Sequence, residues 1–209
     1  MAKVIQWRED APLPPETLTE LATAARSCKI LVFPTDTVYG IGSTGLIKAA
    51  SRRIYEIKNR DSMKPLPILV HSAEEAWRWV QPTPEARSLA RAFWPGPMTL
   101  VLRPTPEGRR LTLPEFSTLA IRVSGHPLVR AMIEASGIPW ASTSANASGS
   151  PAIQDGTEAA SMFSGTVDYV IEGGRCAGVE SSVVDACTQP VRVLREGRLS
   201  REELLRALN

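Results

Sequence analysis

The chain has 209 residues, of which 43% are hydrophobic and 22% charged, and its formal net charge is +2. A chain of this length and apolar content can bury one full hydrophobic core, so we expect a single domain over residues 1–209. The near balance of charge excludes a strongly basic surface spread over the whole protein, and any electrostatic attraction must be local.

Cysteine spacing and the hydropathy pattern predict a soluble protein of the cytoplasm that binds no membrane. Cys28, Cys176 and Cys187 lack CxxC spacing, and two histidines do not complete a zinc motif, so we predict no protein metal site. Scattered thiols are typical of a reducing compartment. The amino terminus is unlike a signal peptide, and no apolar run is long enough to span a bilayer.

In the first half of the chain, helical and strand patterns alternate. Pro14 and Pro15 lead into the first helix, and Ser72 with Glu75 predicts a capping box. The predicted elements are a helix over 16–27, strands over 29–33 and 38–41, a helix over 47–58, a strand over 66–70, and helices that begin after Ser72 and Thr83.

In the second half, strands are more frequent than helices. The segment 94–97 contains two prolines, so we predict a rigid turn that feeds a strand over 98–103. Further strands are predicted over 119–123, 138–142, 167–171, 181–185 and 191–194, with helices beginning at Pro127 and after Ser200. The whole pattern predicts an α/β fold, an open mixed sheet flanked by helices.

The segment Gly40-Ile41-Gly42-Ser43-Thr44-Gly45 satisfies the dinucleotide fingerprint GxGxxG, and Asp61 lies about 20 residues further on. In the dinucleotide fold the acidic residue closes a strand, whereas Asp61 lies among cationic residues before the next strand. We therefore interpret the glycines as a tight strand-to-helix turn. No GxxxxGK[ST] segment is present in the sequence, which excludes a P-loop.

Two short polar stretches are candidates for a nucleotide site. Lys58, Arg60 and Lys64 follow a predicted helix end and can neutralise a triphosphate, although a solvated basic face is the alternative. The run 142–149 is rich in small polar residues and follows a predicted strand. Ligands gather at strand ends in open α/β sheets, although a flexible loop is the alternative here.

Other polar residues suit a small metabolite. Thr35, Asp36 and Thr37 directly follow a strand and offer hydroxyls and a carboxylate, although a plain turn is equally compatible. Arg122 interrupts an apolar strand, where a cation is costly unless it faces an anion, so we predict a ligand carboxylate beside it. Arg195 ends another apolar strand, so the same reasoning asks for an anion or an opening beside it.

These segments together resemble the YrdC family, the threonylcarbamoyl-AMP synthases that begin the threonylcarbamoyladenosine (t6A) modification of tRNA. The resemblance covers nearly the whole chain and rests on many ordered matches. The matching segments are 33–40 (FPTDTVYG), 58–60 (KNR), 64–66 (KPL), 94–99 (WPGPMT), 120–123 (AIRV), 144–149 (SANASG) and 193–197 (VLREG).

The resemblance implies an open twisted sheet with a concave basic cavity, in which ATP, L-threonine and bicarbonate give threonylcarbamoyl-AMP and pyrophosphate. Magnesium is expected with ATP, and tRNA threonylcarbamoyl-transferase machinery is expected downstream. The implied catalytic residues are Lys58, Arg60, Ser144 and Asn146. These four also bind ATP, together with Lys64, Thr118, Ser142, Ser181 and Arg195, whereas Thr35 or Thr37 and Arg122 hold threonine.

The sequence departs from the family pattern at two positions. The usual Arg-Val-Pro reads Arg122-Val123-Ser124, and Glu-Ser-Thr reads Glu180-Ser181-Ser182. The chain also ends soon after Arg195, so it resembles the short single-domain form. The alternatives are a YrdC-like module that binds double-stranded RNA, a paralogue without this synthase activity, and a carbamoyl-transfer relative of the hydrogenase-maturation type.

Overall fold

A computed structural model describes residues 1–8, 11–146 and 149–208. The chain begins with a short strand and then alternates helices with strands. In order, the elements up to residue 104 are β1 (Lys3–Gln6), α1 (Pro15–Arg26), β2 (Leu31–Phe33), β3 (Gly40–Thr44), α2 (Lys48–Lys58), β4 (Ile68–Val70), α3 (Ala73–Trp79), β5 (Val80–Gln81), α4 (Pro84–Phe93) and β6 (Met98–Pro104).

A short 3₁₀ helix at Gly108–Leu111 leads into the second half of the structure. The remaining elements are β7 (Leu119–Val123), α5 (Pro127–Ser136), β8 (Trp140–Ser144), α6 (Gly156–Phe163), β9 (Tyr169–Glu172), β10 (Ser182–Asp185), β11 (Arg192–Arg195) and α7 (Arg201–Arg206). Among the described helices, none combines the length and the apolar character that crossing a bilayer requires.

The strands form one open sheet in the order β1-β9-β2-β3-β8-β4-β7-β6-β10-β11, and β5 pairs with β6 beside this path. The sheet is mixed: β1 and β2 pair with β9 in parallel, as do β4 with β7 and β6 with β10. The pairs of β3 with β2 and β8, and of β7 with β6, are antiparallel. The predicted open, mixed α/β sheet is confirmed.

Both faces of the sheet bury apolar side chains, because successive strand residues point to opposite sides. Val32 belongs to the larger apolar cluster, whereas its neighbours Leu31 and Phe33 belong to the smaller one. Helices α1 and α5 contribute to the smaller cluster and cover only part of that face. The part of the face that they leave uncovered is where the candidate site lies.

The GxGxxG segment forms a strand, so the predicted strand-to-helix turn is wrong. Gly40 pairs with Phe33 across the antiparallel β2–β3 ladder. A Cβ atom at Gly42 would lie 3.2 Å from the Phe33 ring and 3.0 Å from the Ala141 carbonyl oxygen. The glycines therefore make room for the Phe33 ring against the strand. This packing requirement, and not a turn, explains why glycines occur here.

Other features also differ from the sequence prediction. Strand β8 runs on to Ser144, so the small polar run begins inside a strand. The sequence pattern missed α6, which Asp155 caps by accepting from the N–H groups of residues 157 and 158. At α3, Ser72 accepts from the Glu75 N–H, but the Glu75 carboxylate accepts from the His71 N–H, so the capping box is incomplete.

Candidate functional site

A cavity of about 350 Å³ lies over the middle of the sheet. Its floor comes from alternate residues of adjacent strands, such as Thr99 and Val101 on β6 and Ala120 and Arg122 on β7, because alternate strand residues share a face. The charged residues that line it are Arg60, Arg122, Glu180 and Arg195. Eight of the residues predicted from the sequence line this one cavity: Thr35, Thr37, Arg60, Arg122, Ser142, Ser144, Ser181 and Arg195.

Lys58 joins the cationic segment to the serine-asparagine turn, which we define as residues 144–146. It is the last residue of α2, and Asn59 ends the helix in the left-handed conformation at φ 46°. The Lys58 Nζ donates to the carbonyl oxygens of Ser144 and Asn146 and to Asn146 Oδ1, the last at 2.7 Å. An ammonium has three N–H donors, so this turn engages all of them.

Burial controls the protonation of Lys58. The residue is 3% exposed, and its burial, reinforced by the nearby charge of Arg60, lowers its pKa to about 8. Ser144 Oγ also donates to Asn146 Oδ1 at 2.8 Å, which fixes the side-chain oxygens of the turn relative to one another. Ala147 and Ser148, which belong to the predicted polar run 142–149, lie outside the described residues.

Arg60 lines the cavity, but Lys64 does not. The Arg60 Nε donates to the Lys64 carbonyl oxygen at 3.3 Å, and its Nη2 donates to the Pro65 carbonyl at 3.4 Å. Burial lowers the pKa of Arg60, but a guanidinium stays charged at neutral pH. The Lys64 side chain is exposed, so this residue contributes its backbone to the position of Arg60.

Arg122 is buried on β7 and held from three sides. Its Nε donates to the Gly96 carbonyl at 3.1 Å, its Nη1 to Thr37 Oγ1 at 3.2 Å, and its Nη2 to Asp36 Oδ1 at 2.7 Å. The predicted rigid turn before β6 thus supplies the Gly96 carbonyl. Burial lowers the pKa of Arg122, and the negative charge of Asp36 opposes that shift.

Thr35 and Thr37 form a compact turn beside Arg122. Thr35 Oγ1 donates to the Val38 carbonyl at 2.7 Å and accepts from the Thr37 and Val38 N–H groups. The two hydroxyls lie 2.9 Å apart. Because the backbone of its own turn engages the Thr35 hydroxyl, Thr37 is the hydroxyl that connects the turn to Arg122.

Ser181 and Arg195 contribute a second group of arginine and hydroxyl side chains to the cavity. The Arg195 Nε and Nη2 donate to the Ser181 carbonyl at 3.1 and 2.8 Å, and its Nη1 pairs with Glu180 Oε2 at 2.6 Å. The Ser181 hydroxyl lies 3.0 Å from that of Thr99. The sequence prediction missed Thr99, which strand alternation alone could have placed on the same face as the rest of the site.

Thr118 lies apart from the other predicted residues. It lines a neighbouring small cavity together with Lys48 and Tyr55, and Pro65 and Ala120 line both cavities. Among the residues that the structure describes, no group of three or more His, Cys, Asp or Glu side chains could hold a metal ion. Magnesium needs few protein carboxylates when substrate phosphates supply most of its oxygen ligands, so the residues of this cavity are compatible with an ion that enters with a nucleotide.

The fold and the cavity define a class of protein: an open α/β sheet, without a P-loop, whose cavity is lined by arginines and hydroxyls that suit a small anionic ligand. The Sua5/YciO/YrdC family model, described as "Telomere recombination", matches residues 23–197. The threonylcarbamoyl-AMP synthase of Pyrococcus abyssi is 39% identical over 86% of this chain and 53% of its own length. The chain belongs to the Sua5/YciO/YrdC family.

Two solved structures share the fold over nearly the whole chain. The crystal structure of P. abyssi Sua5 complexed with L-threonine has a TM-score of 0.92 and 36% identity, covering 99% of this chain and 61% of that one. E. coli YciO has a TM-score of 0.90 and 26% identity, covering 98% of this chain and 100% of that one. The chain therefore spans all of YciO but only about half the length of the P. abyssi synthase.

Proposed function

We propose that this chain is an enzyme that makes threonylcarbamoyl-AMP from L-threonine, bicarbonate and ATP and releases pyrophosphate, the first step of t6A formation in tRNA. The observation that carries the proposal is the single cavity that brings Arg122, Arg60 and Arg195 together with the serine-asparagine turn. Relatives named as threonylcarbamoyl-AMP synthases and a threonine-bound Sua5 structure support the same reaction.

Arg122 is the receptor that we assign to the threonine carboxylate. Among the residues that the structure describes, three of its five N–H groups donate to Gly96, Thr37 and Asp36, and one N–H on Nη1 and one on Nη2 have no acceptor there. Two N–H groups on neighbouring nitrogens of a planar guanidinium match the two oxygens of a carboxylate. The buried position strengthens this pair, because little water competes for it.

The phosphates of ATP are assigned to the part of the cavity that Arg60, Arg195 and the serine hydroxyls line. Arg60 and Arg195 supply positive charge there, and Ser142, Ser144 and Ser181 supply hydroxyls. Lys58 acts here mainly by fixing the serine-asparagine turn, because its three donors are engaged by that turn. Lys64 and Thr118 remain predicted ATP ligands from outside this cavity.

The reaction needs alignment and charge stabilisation more than a protein nucleophile. The threonine amine combines with bicarbonate to give a carbamate and water, and a carbamate oxygen then attacks the α-phosphorus as pyrophosphate leaves. Arg60 and Arg195 would stabilise the negative charge that develops on the phosphates, and Arg122 would fix the attacking molecule. Magnesium bound with ATP would neutralise further phosphate charge.

Threonine-dependent release of pyrophosphate tests the proposal. The purified chain is incubated with ATP, magnesium and bicarbonate, with and without L-threonine, and the adenylate product is identified by its mass. We expect release that requires threonine and stops when bicarbonate is removed. No threonine-dependent release at any magnesium concentration would contradict the proposed reaction.

Cytoplasmic location, direct RNA binding and transfer of the product to tRNA-modifying proteins remain predictions. The cavity favours a mononucleotide over an RNA duplex, because its hydroxyls and arginines converge on a volume of about 350 Å³. Tight, salt-dependent binding to duplex RNA without pyrophosphate release would instead favour the RNA-binding module.

A further inference from the structure

The guanidinium of Arg122 depends on a carboxylate that does not itself line the cavity. Asp36 Oδ1 accepts from Arg122 Nη2 at 2.7 Å, and Arg122 but not Asp36 is among the residues that line the cavity. Burial raises the pKa of Asp36, but the charge of Arg122 and hydrogen bonds from Ser124 and Arg122 outweigh it and hold that pKa below its usual value. Asp36 is therefore a fixed anion beside the threonine end of the site.

Ser124 in turn holds Asp36. Its hydroxyl is completely buried and donates to the same oxygen, Asp36 Oδ1, at 2.5 Å. The other oxygen, Oδ2, is buried and accepts no hydrogen bond from the described residues. Ser124 and Arg122 are thus the two side chains that orient this carboxylate. The next residue, Gly125, packs so closely that a Cβ atom there would lie 3.1 Å from Oδ2.

We propose that Ser124 and Asp36 are positioning residues that fix the Arg122 guanidinium for the carboxylate of the amino acid substrate. The inference rests on the proposed function and adds two residues to it. Asp36 and Ser124 are 88 positions apart in the chain, and their contact joins the loop after β2 to the loop after β7. This contact restrains both loops that border the bound amino acid.

The chemical reason is the geometry of a forked ion pair. A guanidinium binds both oxygens of a carboxylate only when its plane is aligned with them, and a rotation of the plane leaves a single hydrogen bond. Without the Ser124 hydroxyl, Asp36 keeps Arg122 as its remaining side-chain partner and the pair can rotate together. We therefore expect an affinity loss that is specific to ligands with a carboxylate.

The test is calorimetric binding of L-threonine and of L-threoninol, in which a CH₂OH group replaces the carboxylate. We expect Ser124→Ala to weaken threonine binding by about tenfold, equal to ~1.4 kcal/mol, and to leave threoninol binding unchanged. Ser124→Thr, which retains the hydroxyl, should restore part of the affinity. In a chain that carries Asp36→Ala, adding Ser124→Ala should change threonine affinity by less than about twofold.

Ser43→Ala is the matched control. Ser43 is also completely buried, and its hydroxyl donates to the Lys29 carbonyl at 2.8 Å, away from the cavity. This variant should lose similar stability on heating but keep the wild-type affinity for threonine. Equal threonine affinity in Ser124→Ala and the wild type would overturn the inference, as would equal losses in Ser124→Ala and Ser43→Ala.

The same experiment separates this inference from the proposed function. If the wild-type chain binds no threonine and releases no pyrophosphate, the proposed function and the inference fail together. If the wild type binds threonine and makes product while the loss in Ser124→Ala is the same for threonine and threoninol, only the inference fails.

Discussion

Replacing Lys58 by methionine should separate activity from stability. The change removes three hydrogen bonds from an ammonium, each worth ~1.5 kcal/mol, which together amount to about 4–5 kcal/mol. It also removes a buried charge, whose desolvation costs several kcal/mol in the folded state. The two effects offset one another, so we expect a net loss of about 1 kcal/mol and a fall in Tm of about 2–4 °C.

Turnover should respond far more strongly to the same change. The serine-asparagine turn loses the cation that joins its carbonyl and amide oxygens, and misplacing one preorganised polar group typically costs ~10²–10³ in kcat. Thermal unfolding and threonine-dependent pyrophosphate release are measured on Lys58→Met and on Lys29→Met. The control removes a surface lysine whose Nζ lies 3.3 Å from Asp168. Wild-type turnover in Lys58→Met, or a loss of turnover fully explained by unfolding, would refute the reasoning.

Three further predictions follow from the charges and packing of the site. Because burial lowers the pKa of Lys58 to about 8 from 10.5, kcat/KM for ATP should fall as pH rises through about 8. Between about pH 8 and 10.5 the Lys58 side chain stays protonated in the unfolded chain but loses its proton in the folded one. The free energy of unfolding, measured in urea, should therefore rise with pH over that range. A kcat/KM that does not change with pH would contradict the predicted loss of activity. A free energy of unfolding that falls over the same pH range would contradict the predicted gain in stability. Glu180→Gln should tighten binding of a non-hydrolysable ATP analogue about two- to fivefold by releasing Arg195, since half-exposed pairs are weak. Weaker binding would instead indicate that Glu180 helps to hold magnesium. Gly125→Ala should destabilise the protein by about 1–2 kcal/mol in urea unfolding, because the new methyl group would press on Asp36. Unchanged stability would show that the loop relaxes freely.

Local signals in the sequence were sufficient for most helices. Pro84 and Pro127 begin α4 and α5, and Ser200 with Glu203 forms the predicted capping box of α7. Such signals act over three or four residues, so the sequence contains the whole interaction. The glycines of β3 led to a wrong prediction because they accommodate the Phe33 ring, which lies on another strand. No local sequence pattern records that contact.

The site shows the same division between local and distant causes. The burial of Arg122 could be predicted because a cation within an apolar strand needs an anion nearby. Its anion in the structure is Asp36, which is 86 positions away and which the sequence offered only as part of a polar turn. The three hydrogen bonds that Lys58 donates could not be predicted either, because their acceptors lie 86 and 88 positions further along the chain.

The three cavity arginines differ in the carboxylates with which they pair. Arg122 is buried against Asp36, so it offers orientation with little net charge, which suits a single carboxylate. Arg195 pairs with the half-exposed Glu180, and water screens that pair. Arg60 donates, within the described part of the chain, to carbonyl oxygens alone, and the carboxylates of Glu180 and Asp61 act on it only as nearby charges. A polyphosphate is attracted most strongly to a cation that is not paired with a carboxylate. The carboxylate of an amino acid instead needs a guanidinium that is held in a fixed orientation. This difference supports the proposed assignment of the ATP phosphates to Arg60 and of the threonine carboxylate to Arg122.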